Sequence, residues 1–252
     1  MNYLMRALSA ELLKTRRTLA IWMTLVTPLV VCVLQTLVLL RWKGSYGGEQ
    51  LDAWSASMTN ILNLWAILAL PLFITLETAL LAQTEHAEKQ WKHLFALAVP
   101  RWVYYAAKWL TGAVLILFGQ VFLLGGALLS GYFIHLVRPD MGFDGPPPVA
   151  WMARILGLVW LISLLVISIH TWVSLHFHSF TVAVGVGMAA AVANIIMINS
   201  SDGQRYFPWT LPVNALPNGE AGGLPYALAF GILGGLLLAL LGGWEVTRRD
   251  VL

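Results

Sequence analysis

Apolar residues fall along this chain in long blocks, and most polar residues gather in short stretches between them. Six blocks, at about 19–40, 58–83, 103–135, 151–175, 180–199 and 224–244, approach or exceed the roughly 20 residues a helix needs to cross the hydrocarbon core of a bilayer. The blocks do not alternate polar with apolar, so they do not read as barrel strands. A backbone facing lipid must satisfy its own hydrogen bonds, which leaves the helix. The expected fold class is an all-α membrane protein with six transmembrane helices, forming one transmembrane domain over 1–252. The first block is too long for the apolar core of a signal peptide and shows no small-residue cleavage site, so it is expected to be retained. Pro28 is placed to kink it, and Pro71 and Glu77 fall inside the second.

The polar stretches carry the rest of the pattern. Over 2–18, Leu4, Leu8 and Leu12 recur every four residues, among the basic Arg6, Lys14, Arg16 and Arg17. Two readings fit: an amphipathic helix lying on an anionic membrane surface, or a basic flank that anchors the first span. Residues 84–98 predict a second surface helix. Thr84 is placed to cap it, and Pro100 ends it. Ala87, Trp91, Leu94, Phe95 and Ala98 form one apolar stripe at helical period. Glu85 with Lys89 and Glu88 with Lys92 are i,i+4 pairs with the acid first, the favourable order. Such exposed pairs add only about 0.3–0.5 kcal/mol each, so they mark a solvated face more than they hold the helix. Physics alone leaves two options for that face, a membrane-surface helix without a partner or a displayed contact. Proline and glycine break the chain in loop 136–150, and loop 200–223 contains an aromatic-proline cluster, Phe207, Pro208, Trp209 and Pro212. Trp and Tyr favour membrane interfaces, so the cluster reads as an anchoring or re-entrant segment, or as a lid over the outer end of a pathway.

Charge then orients the helices. Six spans put both termini on one side. That side holds Arg6, Lys14, Arg16, Arg17, Lys89, Lys92, Arg101, Lys108, Arg248 and Arg249, ten of the basic residues; Arg41, Lys43, Arg138, Arg154 and Arg205 fall on the other. The basic excess belongs in the cytosol, so both termini are expected there. With hydrophobic residues at 59% and charged at 11%, no soluble domain is expected, and a net charge of +3 does not suggest nucleic acid. Glu77 inside a span is costly and needs protein or water around it, about 2.5–3.5 kcal/mol at the bilayer centre by insertion scales. Lys108, early in the third span, is its expected ion-pair partner. The pair is either structural or part of a proton or substrate site.

Several chemistries have no residues to carry them. There is no P-loop, nor even a Gly-Lys dipeptide, so the chain is not expected to bind ATP in that way. There is no H-E-x-x-H, and the single Cys32 rules out a disulfide framework. His176 and His178 lie in the turn between the fourth and fifth spans and are better read as an interfacial turn than as metal ligands, so no metal is expected. Ser130-Gly131 lacks the glycine two residues earlier that an intramembrane serine protease motif would need, Leu128 standing there. Gly231 and Gly235 form a small-xxx-small pair, read as close packing within the chain ahead of a dimer contact.

One order of residues carries a resemblance. Glu77 late in the second span is followed by Glu85-His86, then Trp91-Lys92-His93-Leu94, Pro100-Arg101 and Lys108. With AELLKTRRT before the first span and Phe207-Pro208-Trp209-x-x-Pro212 before the last, the whole chain resembles permease subunits of bacterial ABC exporters of the second type. The likeness is to the branch of lantibiotic-immunity and bacitracin-resistance permeases. Glu88-Lys89-Gln90 departs from that pattern, where a glycine is expected near the Trp-Lys pair. The resemblance implies that 84–98 is a coupling helix seated on a separate ATPase subunit, with Glu85, Glu88, Lys89 and Lys92 as contact face and Trp91 and Phe95 as the buried lever. It implies no cofactor in this chain, ATP and Mg in the partner, a second permease copy, identical or paralogous, and a bacterial cytoplasmic membrane. The rival reading is a membrane scaffold, sensor or assembly factor without transport. An intramembrane enzyme has no constellation to support it.

Overall fold

The computed structural model describes residues 3–16, 18–44, 52–87, 100–177, 179–220 and 222–248. All the regular structure among them is helical. Helix α1 spans Tyr3–Thr15 and α2 spans Leu19–Arg41. Helix α3 runs as Ala53–Leu64, a π turn Trp65–Ala69, and Leu70–Ala87. Helix α4 is Arg101–Val137, α5 is Val149–His176, α6 is Phe180–Met197 and α7 is the short Ser201–Tyr206. Helix α8 runs as Gly223–Ala229, a π turn Phe230–Gly234, and Gly235–Arg248. Six helices, α2 to α6 and α8, are long and apolar enough to cross a membrane.

Helices α3 and α5 form the interior. Helix α3 packs on α2, α4, α5 and α6, while α5 also packs on α4 and α8. Trp54, Trp65, Phe73, Ile116, Leu123, Val159 and Ile162 are buried where these helices meet. Leu29, Val33, Leu37, Val186, Met188, Leu237 and Leu240 on the outer helices point away, as apolar residues do when the surrounding solvent is lipid. Gly231 and Gly235 face α5: a Cβ on Gly231 would lie 2.4 Å from the Ile162 Cα. The small-residue pair therefore serves a contact inside the chain.

Both ends of α3 differ from the sequence expectation, each for a local reason. Helix α3 starts at Ala53 and not at 58, because the Asp52 side chain accepts from the Ser55 amide at 2.8 Å and caps it. Its first turn is anchored by Trp54, which meets Tyr132 and Phe143 edge to face. At the other end, α3 continues through Thr84 to Ala87. Thr84 is not a cap there; its hydroxyl donates back to the Leu81 carbonyl at 2.9 Å, and no proline or glycine interrupts the turn.

The π turn in α3 has an identifiable cause. Pro71 has no amide hydrogen, so the Ile67 carbonyl one turn earlier loses its helical donor. The Asn194 side-chain amide on α6 donates to that carbonyl at 2.7 Å. A polar group freed at membrane depth is satisfied by a neighbouring helix, which also fixes α6 against α3.

Candidate functional site

The polar residues of the bundle meet at two levels. At the end where α3 stops and α4 starts, Lys108 on α4 is 3% exposed and joins three elements. Its Nζ donates to Glu11 Oε2 on α1 at 3.0 Å and to the Leu81 carbonyl on α3 at 2.8 Å. Lys14 donates to Glu11 Oε1 at 3.1 Å, so the carboxylate has a cation at each oxygen. Burial alone would raise the Glu11 carboxyl, but the Lys108 and Lys14 ammonium groups outweigh it and hold it below its ordinary value. Thr15 and Thr18 donate to the carbonyls of Glu11 and Thr15, which shapes the turn from α1 into α2.

The expected Glu77–Lys108 pair is corrected by this geometry. Glu77 is fully buried and turns toward α2, where its Oε1 accepts from the Thr24 hydroxyl at 3.0 Å. Its Oε2 has no hydrogen-bond partner among the described residues. Lys108 instead reaches an acid on α1. The buried face of α1 is also shifted: Glu11 and Thr15 are buried, Leu4 and Leu8 are partly covered, and Leu12 is 41% exposed. The stripe thus runs through Glu11 and not through Leu12.

The second level is built by the chain between α7 and α8. Leu211, Pro212, Val213 and Asn214 are buried in a short 3-10 turn, Leu211–Ala215, packed on α5 and against the π turn of α3. Trp209, stacked near Phe207, donates from Nε1 to His170 Nε2 on α5 at 3.0 Å. Thr75 on α3 approaches the same nitrogen at 3.4 Å. His170 is fully buried and its Nδ1 has no partner among the described residues. Phe207, Pro208, Trp209 and Pro212 thus belong to a segment that folds back into the bundle, held by the Thr210 hydroxyl, which lies 2.7 Å from both the Gly203 and Phe207 carbonyls. A third tie lies between α4, α5 and α8: Trp109 Nε1 donates to Ser168 Oγ at 2.8 Å, and that hydroxyl lies 2.7 Å from the Gly235 carbonyl.

Of the expected coupling residues, Glu85 lies on the last turn of α3, while Glu88, Lys89, Trp91, Lys92 and Phe95 fall outside the described residues. His176 meets Glu245 of α8 at 3.4 Å. Glu11, Thr24 and His170 were not singled out by the sequence. The available signal for Glu11 was an acid set alone among the basic residues of 2–18; for His170 it was a titratable group deep inside an apolar span.

Among known families, the model described as ABC-2 family transporter protein matches residues 7–194, more than half of the chain. No curated protein and no solved structure gave a match.

Proposed function

Since the chain belongs to the ABC-2 transporter family, a membrane component of transport systems, we propose that it is the permease subunit of an exporter powered by a separate ATPase. ATP and Mg sit on that partner, and this chain contributes the transmembrane path. The substrate class we assign is amphipathic: a membrane-inserting peptide of the lantibiotic kind, or a drug. A second permease copy completes the path, in a bacterial cytoplasmic membrane with both termini in the cytosol, as the basic excess on that side favours.

The observation that carries the reading is the Lys108 junction. The segment 88–99 leaves from the end of α3 and returns at the start of α4. Lys108 binds an α3 carbonyl and an α1 carboxylate at once. A push on the segment between α3 and α4 therefore acts on a joint that already ties three elements together. In this proposal Glu85, Glu88, Lys89 and Lys92 meet the ATPase, Trp91 and Phe95 form the lever, and the joint passes the movement to α1 and α2. The segment around Trp209, held to His170, is the lid at the opposite end.

Charge reversal at Glu88 and Lys92 tests it. The expected outcome is loss of ATPase copurification and of ATPase stimulation with membrane insertion intact. Unchanged copurification together with unchanged stimulation sinks the proposed contact face.

A further inference from the structure

A groove of about 430 Å³ opens between α4 and α8 near the Lys108 end of the bundle. That is within the range of about 300–1,000 Å³ over which ligand sites occur. Its walls are almost entirely apolar, with Trp102, Tyr105 and Trp109 from α4 facing Leu240 and Trp244 from α8. Trp102 is 47% exposed and Trp244 54%, so the groove is open to whatever surrounds the helices, which at this depth is lipid.

The Tyr105 hydroxyl turns away from the groove, into the bundle and against Gly242 of α8. The polar feature beside the apolar lining is a charge. At the mouth, the Arg248 guanidinium lies 4.0 Å from the centroid of the Trp244 ring. Arg248 is exposed and makes no ion pair among the described residues. Glu245, one turn earlier on α8, turns the other way, toward Trp172 and His176 on α5.

We propose that this groove is a binding site for one anionic membrane phospholipid, its acyl chain lying along the Trp102–Trp244 wall and its phosphate meeting Arg248. The chemistry is complementary along the length of such a molecule. An aromatic and aliphatic slot takes the chain, and a cation lies at headgroup level. Arg is suited to phosphate by its planar set of donors, and basic positions between transmembrane helices favour anionic headgroups. The stacking of Arg248 on Trp244 holds the guanidinium in place before the lipid arrives. The groove is lined by none of Glu11, Lys14 and Lys108, so it stands whether or not the coupling proposal does.

The test is native mass spectrometry of the protein released from nanodiscs of palmitoyl-oleoyl phosphatidylcholine containing the corresponding phosphatidylglycerol. The wild type is expected to retain one phosphatidylglycerol per chain in preference to phosphatidylcholine. Arg248→Gln should cut that retention about fivefold, as expected for one cation at a membrane surface. Ala239→Phe, which fills the groove, should abolish it. Arg6→Gln, an exposed cation on α1, should leave it unchanged. Arg248 is exposed, so its variant keeps the test decisive even if Ala239→Phe does not fold. Equal retention of the two lipids, or undiminished phosphatidylglycerol in Arg248→Gln, overturns the proposal.

Discussion

Glu11 is the residue around which the Lys108 end of the bundle is arranged, and it shows what a helical period leaves open. Leu4, Leu8 and Leu12 form one stripe, but a 3.6-residue turn serves equally a stripe through 4, 8, 11 and 15. Choosing between them required the partner, Lys108, which is 97 positions away. Glu77 is legible as a costly acid in a span, but Lys108 in the next span is not its partner, because Glu77 turns toward Thr24. Removing Lys108 strands a buried carboxylate. Losing one partner of such a pair costs about 3–5 kcal/mol, and Lys108→Ala should fall at the lower end because Lys14 stays beside Glu11. A thermal-unfolding cycle in detergent with Glu11→Gln should show strong coupling; additive losses would mean that the pair does not hold α1 to α4. Acid should act on the same contact. The folded carboxylate titrates below its ordinary 4.5, so the pair contributes fully above that pH and its contribution fades as the pH falls through the lower, folded-state value. Wild type should therefore lose melting temperature below about pH 4.5 more steeply than Glu11→Gln does. Parallel curves would contradict this.

At the scale of elements, the apolar blocks made the six helices visible, since a run of about 20 apolar residues admits little else. Their ends and irregularities were less visible. Asp52 is a cap by residue type, but it lies outside the apolar block, where hydropathy alone predicts loop. The π turn in α3 needed both Pro71 and a donor from α6, and no local pattern links Pro71 to Asn194. The aromatic-proline cluster reads in the sequence as an anchoring or re-entrant segment or a lid, but nothing local shows how its turn Leu211–Ala215 is buried: the Thr210 hydroxyl and the Asn214 amide bond to nearby carbonyls. Asn194→Leu should cost about 0.6–1.7 kcal/mol, the range for interhelical hydrogen bonds in membranes. In a Pro71→Ala background the Ile67 carbonyl regains a helical donor, and the cost should shrink. Equal costs in both backgrounds, measured by unfolding in detergent, would show that Asn194 does not compensate the proline.

Over the whole molecule, family membership and helix count follow from the chain, while function rests on what the Lys108 joint is for. In the proposed reading the work comes from a separate ATPase subunit, and the joint lies near where 88–99 departs from α3 and rejoins α4. The scaffold reading gives that joint no load to carry. Gentle extraction of the tagged protein from its own cell membranes, followed by identification of the proteins that accompany it, tests the central claim most directly. The account predicts an ATPase subunit with a P-loop in stable proportion to the permease. Recovery of the chain in intact form without any such ATPase would contradict it.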